Sequence, residues 1–321
     1  MHHRSRTGFF LSALAAVIWS LTSPGLKYLL DTYGVASLAV AFWRDVFMAA
    51  ACVLLLAALR PSLLRVSRHD LRGFALLGTV SIGIYHALWV ASVAINGAAV
   101  AIVLIYTFPT FVTLGSWLLY REPLRWLQVL ALVLALVGCA LLVRVYDPAV
   151  LRLQWLGTVI GVATGITHAC YVLFSQRAVR NYSPWTSLTY TVLFGALALL
   201  VMVLVSSAIP GAWNHTISLG ATAGPWLVLL FIALGPTLAG YAIFTAALRY
   251  IPGPIASLIV ILEVPLATLL AVVLLGERLE WPQVVGMGMI LSAIVLPSLL
   301  ARRQPVAVRP AVVDEQPAAM G

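Results

Sequence analysis

The sequence predicts an all-α integral membrane protein in which ten transmembrane helices form two inverted five-helix repeats. Three observations lead to this fold class. Of the 321 residues, 62% are hydrophobic and 9% are charged, whereas a soluble protein carries about 25% charged residues. Apolar runs of about 20 residues, the length that crosses a bilayer, recur along the chain. A proline-containing motif also occurs twice, which indicates an internal duplication.

Ten apolar segments are long enough to span a membrane. They are apolar on every side and lack the two-residue alternation of a barrel strand, so they predict helices. The connections between them are short and leave no room for a sizeable soluble domain. The predicted spans are 8–30, 37–59, 73–95, 97–119, 124–143, 154–176, 184–207, 224–247, 253–275 and 281–301.

Both ends of the chain extend beyond the predicted spans. The basic residues 1–6 precede an apolar run that is longer than the ~7–15-residue core of a signal peptide, which favours a first helix that is retained. Residues 302–321 are rich in Pro, Ala and Val and are expected to form a disordered cytoplasmic tail. The three cysteines lie inside apolar runs and lack the paired spacing of a metal or redox site, so no disulfide is predicted.

The positions of Lys and Arg predict the orientation in the membrane. Cytoplasmic loops carry an excess of these residues. With a cytoplasmic N-terminus, the cytoplasmic side holds Arg4, Arg6, Arg60, Arg65, Arg68, Arg72, Arg121, Arg125, Arg177, Arg180, Arg249, Arg302, Arg303 and Arg309. The opposite side holds Lys27, Arg144, Arg152 and Arg278. Both termini are therefore expected to be cytoplasmic, and the net charge of +9 needs no nucleic-acid partner to explain it.

Two stretches of the chain share one residue pattern, which defines repeats of residues 8–143 and 154–301. The matched pairs are Gly97 and Gly253, Ile105 and Ile261, Pro109 and Pro265, and, after a slip of one residue, Glu122 and Glu277, Leu124 and Leu279, Trp126 and Trp281, and Gln128 and Gln283. Each repeat contains five spans. Because five is odd, the second repeat must enter the membrane from the opposite side. Inverted repeats of this kind are typical of secondary transporters.

This constellation resembles the EamA-type branch of the drug/metabolite transporter superfamily over roughly residues 8–301. In that branch each repeat has a proline-bearing helix, then an apolar run that closes on Gly-Glu, then a final helix. Here Pro265 through Gly276-Glu277 fits well, while the first copy has Tyr120-Arg121 where Gly is usual. The resemblance implies a transporter of small organic solutes. An aromatic-rich interior resembles the YddG-type amino-acid exporters more specifically, which implies outward transport of amino acids.

Polar and aromatic residues at membrane depth are the candidates for a binding site, because such groups usually face an interior cavity. Tyr85 and Trp89 share one helical stripe of the third span, and His168 and Tyr171 share one face of the sixth. The predicted substrate-binding residues are Trp19, Tyr85, His86, Trp89, Tyr106, His168, Tyr171 and Tyr241. The competing interpretation is that these aromatic residues lie at the membrane–water interface and that the histidines only form hydrogen bonds between helices.

Glu263 is the one acid predicted to lie near the middle of a span. Three roles are open for it: a coupling proton site, a partner for a substrate ammonium, or a structural hydrogen bond. Arg44 and Asp45 are neighbours that point to different helix faces, and Arg44 is expected to extend outward to the interface.

Local features of the helices carry further expectations. Prolines inside spans are expected to bend helices; they are Pro24, Pro109, Pro236 and Pro265. Gly157, Gly161 and Gly165 predict close helix packing.

Together these patterns predict a secondary transporter that moves neutral or aromatic amino acids through a central cavity by alternating access. A drug, metabolite, nucleotide-sugar or sugar-phosphate carrier of the same superfamily is the alternative. A channel and an intramembrane enzyme are less favoured, since no filter-like loop and no catalytic motif is found. No cofactor and no metal site is predicted. The expected partners are the substrate and the lipid bilayer, and the oligomeric state stays open.

Overall fold

A computed structural model describes residues 2–96, 98–121, 123–148, 155–208, 217–275 and 279–301. These residues form α-helices joined by short turns, and no strand occurs among them. The helices are α1 (His2–Trp19), α2 (Thr22–Tyr33), α3 (Ser37–Leu59), α4 (Arg68–Gly78), α5 (Tyr85–Asn96), α6 (Ala98–Ile105), α7 (Phe108–Tyr120), α8 (Trp126–Leu142), α9 (Trp155–Asn181), α10 (Pro184–Ala208), α11 (Ala223–Ile232), α12 (Ala239–Ala247), α13 (Gly253–Val260), α14 (Glu263–Leu275) and α15 (Trp281–Ala301).

Each of the ten predicted spans coincides with one helix or with two helices in series. Seven helical stretches, two of them with a short internal break, are long and apolar enough to cross a membrane, and three shorter apolar helices, Arg6–Trp19, Trp126–Leu142 and Trp281–Leu296, lie at the remaining positions. The prediction of an all-α multi-pass membrane protein is therefore confirmed. The predicted tail, residues 302–321, lies outside the described residues.

The outer surface of the helices is apolar. Val273 and Phe231 are exposed over 77% and 74% of their area. An apolar surface of this extent is unfavourable in water but suits contact with lipid. Trp126, Trp155 and Trp281 are also exposed, and each lies at the first residue of a helix. Tryptophan is enriched at membrane–water interfaces, so these three positions fit the boundary of the bilayer.

Prolines break the fourth and ninth spans at matching places. Between α6 and α7 the helix is interrupted at residues 106–107, and between α13 and α14 at residues 261–262. Pro109 and Pro265 have no N–H, so the carbonyl four residues earlier, on Ile105 and Ile261, loses its helical donor. The repeated proline therefore produces a repeated break.

The first, third and eighth spans are also irregular. The third and eighth contain π-helical turns at Thr79–Ile84 and Ala233–Leu238, and Pro236 lies inside the second of them. In the first span, Pro24 lies in the first turn of α2, just after the break that separates α1 from α2. Each of the four prolines thus lies in or beside an irregular part of its span.

The repeated Gln residues cap the final helix of each half. The side-chain oxygen of Gln128 accepts a hydrogen bond from the backbone N–H of Arg125 at 3.1 Å, and that of Gln283 accepts one from Glu280 at 2.9 Å. Each bond satisfies an orphan N–H at a helix start. The Trp-x-Gln part of the repeated motif is therefore a helix-start signal, which explains its recurrence without reference to transport.

The glycine face of α9 packs closely on the third and fourth spans, as predicted. A methyl group added at Gly157 or Gly165 would overlap Asn96 or Thr107, respectively. The absence of side chains at these positions brings α9 directly against α5 and α6. This approach places the polar residues of α9 beside those of α5 in the interior.

Candidate interior binding site

A continuous chain of aromatic rings runs through the interior from the first span to the third. The ring centroids of Trp19 and Tyr241 are 5.1 Å apart, those of Tyr241 and Tyr171 are 5.2 Å apart, and those of Tyr171 and His168 are 6.1 Å apart. His168 continues the chain to Tyr85 at 4.9 Å. All five side chains are at least nine-tenths buried. Four spans, two from each half, thus contribute to one cluster.

Two phenylalanines that the sequence analysis did not select complete this cluster. Phe108 meets the ring of His168 edge-on at 4.5 Å and lies 6.1 Å from Tyr106. Phe244 packs against Trp19 at 5.3 Å and lies one turn after Tyr241 on α12. Helical spacing from Tyr241 could have indicated Phe244. No spacing rule indicates Phe108, because it follows the break in the fourth span.

Trp89 is the one predicted residue that the cluster does not include. It lies one turn beyond Tyr85 on α5 and is half-buried. Within the described part of the chain it makes no ring contact with the aromatic residues above.

The prediction that Arg44 extends outward to the interface is wrong. Arg44 is 6% exposed, and its Nε lies 3.7 Å from Oδ1 of Asp45, which is fully buried. Neighbouring residues project about 100° apart on a helix. Both charged groups nevertheless lie inside the protein. A buried charge is tolerated when it is paired, and Asp45 provides that pairing.

Asp45 also binds His86, a predicted site residue. The distance between Oδ2 of Asp45 and Nδ1 of His86 is 2.7 Å, and both side chains are buried. The ring of His86 in turn lies 4.8 Å from that of Tyr85. The charged group formed by Arg44, Asp45 and His86 therefore joins the end of the aromatic chain. Asp45 was not among the predicted site residues, although an acid beside an arginine in an otherwise uncharged span is a signal in the sequence.

Glu263 lies where the two broken spans meet. It is the first residue of α14, directly after the break in the ninth span, and its carboxyl is within hydrogen-bonding reach of the Tyr106 hydroxyl. Tyr106 lies in the matching break of the fourth span. The two interruptions thus come together through one acid and one phenol in the interior.

Several buried polar atoms have no hydrogen-bond partner among the described residues. They include Nδ1 of His168, Oδ1 of Asp45, Nε of Arg44 and Oγ of Ser12. Most buried polar groups in proteins are paired. These open donors and acceptors are groups that a polar solute could bind.

Spans broken at matching positions around buried polar groups are typical of membrane transporters that are built from repeats. The sequence model of the EamA-like transporter family matches residues 6–144 and again residues 155–299. The chain belongs to the EamA-like transporter family.

Curated relatives agree with this assignment. The "Uncharacterized inner membrane transporter YicL" of Salmonella typhimurium is 23% identical over 94% of this chain and 98% of its own length. An "Uncharacterized transporter" of Archaeoglobus fulgidus is 27% identical over 74% of this chain and 81% of its own. A solved structure with the heading "Crystal structure of protein" superimposes with a TM-score of 0.74 at 18% identity, over 94% of this chain and the whole of the other. The chain is a multi-pass membrane transporter.

Proposed function

We propose that this transporter is a secondary carrier that moves neutral and aromatic amino acids outward across the cytoplasmic membrane. The observation that carries the proposal is the buried aromatic chain from Trp19 to Tyr85, with open polar atoms along it. Binding pockets for small molecules are mostly apolar and have a few convergent polar groups. Aromatic rings would hold the apolar side chain of the solute, and hydroxyl and imidazole groups would orient its polar end. The proposed substrate-binding residues are Trp19, Tyr85, His86, Trp89, Tyr106, His168, Tyr171 and Tyr241.

Alternating access through two inverted repeats would move the solute. The family model matches each half of the chain separately, which supports repeats of residues 8–143 and 154–301. The fourth and ninth spans are interrupted beside matching prolines, which would allow both repeats to bend alike. If each repeat changes its bend as the other does, the cavity opens to one side of the membrane and then to the other.

The proposed location is the cytoplasmic membrane, with both termini on the cytoplasmic side. The name of the Salmonella relative supports the membrane, and the loop arginines support the orientation. A test is single-cysteine labelling of intact cells at Ser67 and Asn214 in a cysteine-free background. Asn214 lies outside the described residues. An impermeant reagent should label Asn214→Cys only, and labelling of Ser67→Cys would overturn the orientation.

The transport proposal is tested by counterflow in liposomes that contain the purified protein. We expect labelled phenylalanine to enter vesicles preloaded with unlabelled phenylalanine, with saturation kinetics. Trp19→Ala and Tyr241→Ala should reduce this exchange at least tenfold if each removes about 1.4 kcal/mol of binding. Trp126→Ala is the matched control, because Trp126 is exposed at a helix start. A flux that rises linearly with concentration would indicate a channel, and equal rates in all variants would remove the aromatic chain from the site.

A further inference from the structure

The guanidinium of Arg44 is a buried cation that the aromatic site above leaves without a role. It lies about two turns into α3, in the first half of that helix, and its side chain is 8% exposed. Positive charge inside a membrane is costly and usually marks a functional group with a partner. The partner that the structure provides, Asp45, lies at 3.7 Å. That distance is longer than a hydrogen bond.

The hydrogen-bonding capacity of this guanidinium is therefore not used up. Arginine carries five N–H donors in a planar fork, and Nε of Arg44 is buried without an acceptor among the described residues. A carboxylate can accept two parallel N–H bonds from such a fork, and this geometry is stronger than a single contact. The open Nε–H, on one edge of this fork, thus fits an incoming carboxylate.

Asp45 is not free to fill that position itself. Its Oδ2 is bound to Nδ1 of His86 at 2.7 Å, which fixes the carboxylate from the side of α5. Its other oxygen, Oδ1, has no hydrogen bond. Asp45 therefore balances the charge of Arg44 at a distance while His86 holds it away from bidentate contact. This arrangement keeps the cation in place and leaves its donors available.

Arg44 also lies where a solute in the aromatic chain would end. Its partner Asp45 binds His86 at 2.7 Å, and the ring of His86 lies 4.8 Å from that of Tyr85. Tyr241 contacts Trp19 and Tyr171, and Tyr85 contacts His168. An apolar group lying along these rings would thus bring a nearby carboxylate to the guanidinium.

We propose that Arg44 binds the carboxylate of the transported solute. The substrate class is then small molecules in which a carboxylate lies next to an apolar group, and amino acids are one case. This inference rests on the proposed function and adds an anchoring residue and a required chemical group to it. It also explains why one half of the site contains a full positive charge.

Competition against phenylalanine counterflow tests the carboxylate requirement directly. The competitors are 3-phenylpropionate, which keeps the carboxylate, and phenylalaninamide, which lacks it. With the wild-type protein we expect phenylalaninamide to compete about 10- to 150-fold more weakly than phenylalanine, the range expected for loss of a hydrogen bond to a charged group. Equal competition by the amide would overturn the proposal.

The double variant Arg44→Gln/Asp45→Asn assigns that preference to Arg44. It removes both charges together, so no unpaired charge is left buried and folding should be retained. With this variant we expect the competition constants of phenylalanine and phenylalaninamide to lie within about twofold of each other. The control is Arg180→Gln, which removes an exposed arginine at the end of α9 and should retain the wild-type preference. An unchanged preference in the double variant would show that Arg44 is not the anchor.

A thermal-shift measurement separates this inference from the transport proposal. Saturating 3-phenylpropionate should raise the unfolding temperature of the purified wild-type protein and leave that of the double variant unchanged. If phenylalanine is not transported but this shift occurs, the amino-acid proposal fails and the carboxylate site stands. If neither phenylalanine nor 3-phenylpropionate shifts the wild-type protein, the carboxylate site is wrong.

Discussion

The two halves of this transporter share their backbone irregularities but differ in the charges that they bury. Both have a proline break in the fourth helix of the half and a glutamine cap on the fifth. The second helix of the first half carries Arg44 and Asp45, whereas its counterpart α10 has no charged residue. The proposed alternating access would require the two backbones to bend alike. An amino acid, the proposed solute, has chemically different ends, so the side chains around it need not match.

The largest effect is expected from breaking the buried ion pair. Asp45→Asn leaves the charge of Arg44 unbalanced and should lower the free energy of unfolding by about 3–5 kcal/mol. The matched control in the second half is Thr191→Val. The buried hydroxyl of Thr191 donates only to the carbonyl of Ser187 in its own helix, at 2.7 Å, so its loss should cost about 1 kcal/mol. Unfolding in a detergent titration measures both.

The double variant Arg44→Gln/Asp45→Asn sharpens this test. It should recover most of the stability that Asp45→Asn loses, because the cost arises from one unpaired charge rather than from lost packing. If Asp45→Asn is no more destabilising than Thr191→Val, the pair contributes nothing to stability and the contrast between the halves is confined to binding.

A smaller effect is expected where the backbone of the second half touches the ring of the first. A methyl group on Gly240 would overlap the indole of Trp19, whereas one on Gly288 in α15 meets nothing within 4 Å. Overpacking of this kind costs about 1–3 kcal/mol. We therefore expect Gly240→Ala to reduce both stability and phenylalanine counterflow. Gly288→Ala should leave transport unchanged and raise stability by up to about 1 kcal/mol.

Equal behaviour of the two alanine variants would mean that Trp19 can move aside without consequence. The close contact at Gly240 would then not hold the aromatic chain in position. Counterflow and thermal unfolding, measured on the same preparations, distinguish this result from general instability.

The contrast between the halves also explains what could be predicted from the sequence. The helices followed from hydrophobic length alone, and the broken helices followed from Pro109 and Pro265. Backbone features have local causes that a sequence displays directly. The glycine face of α9 was predictable for the same reason, because its spacing is a property of one helix.

The charged part of the site was not predictable in the same way. Arg44 and Asp45 are adjacent, and helix geometry alone separates adjacent side chains. The burial of Asp45 beside Arg44 involves a hydrogen bond to His86, which lies on the third span whereas Asp45 lies on the second. Such a contact depends on tertiary packing. The predicted aromatic residues converge, apart from Trp89. Helical spacing puts most of them on one face of each helix, so their common orientation was predictable.

The proline breaks of the two halves can be removed one at a time. Pro109→Ala and Pro265→Ala each restore an N–H that can bond to the carbonyl four residues earlier, so the helix can continue through the break. Stability should change by about 1 kcal/mol or less in either direction. The transport rate should fall about tenfold, which corresponds to a barrier raised by about 1.4 kcal/mol for the exchange between conformations. A lower counterflow rate at unchanged substrate affinity would identify this effect.

Similar losses in the two proline variants would support a symmetric motion of the two repeats. A loss in only one of them would mean that one half bends while the other acts as a fixed frame. Retained rates in both would remove the breaks from the transport cycle and leave them as packing features.

The smallest effect is expected at Glu263, the acid of the second half. Its carboxyl is within reach of one described neutral partner, the Tyr106 hydroxyl, whereas Asp45 in the first half faces a cation and an imidazole. An amide keeps both a donor and an acceptor. Glu263→Gln should therefore leave counterflow within about twofold of wild type, since a structural hydrogen bond survives the change. Tyr106→Phe, which removes the bond, should cost about 1 kcal/mol of stability.

Selective loss of proton-driven accumulation in Glu263→Gln, with exchange intact, would instead identify a coupling acid. Loss of exchange in a folded protein would place Glu263 against the ammonium of the substrate, opposite the carboxylate at Arg44.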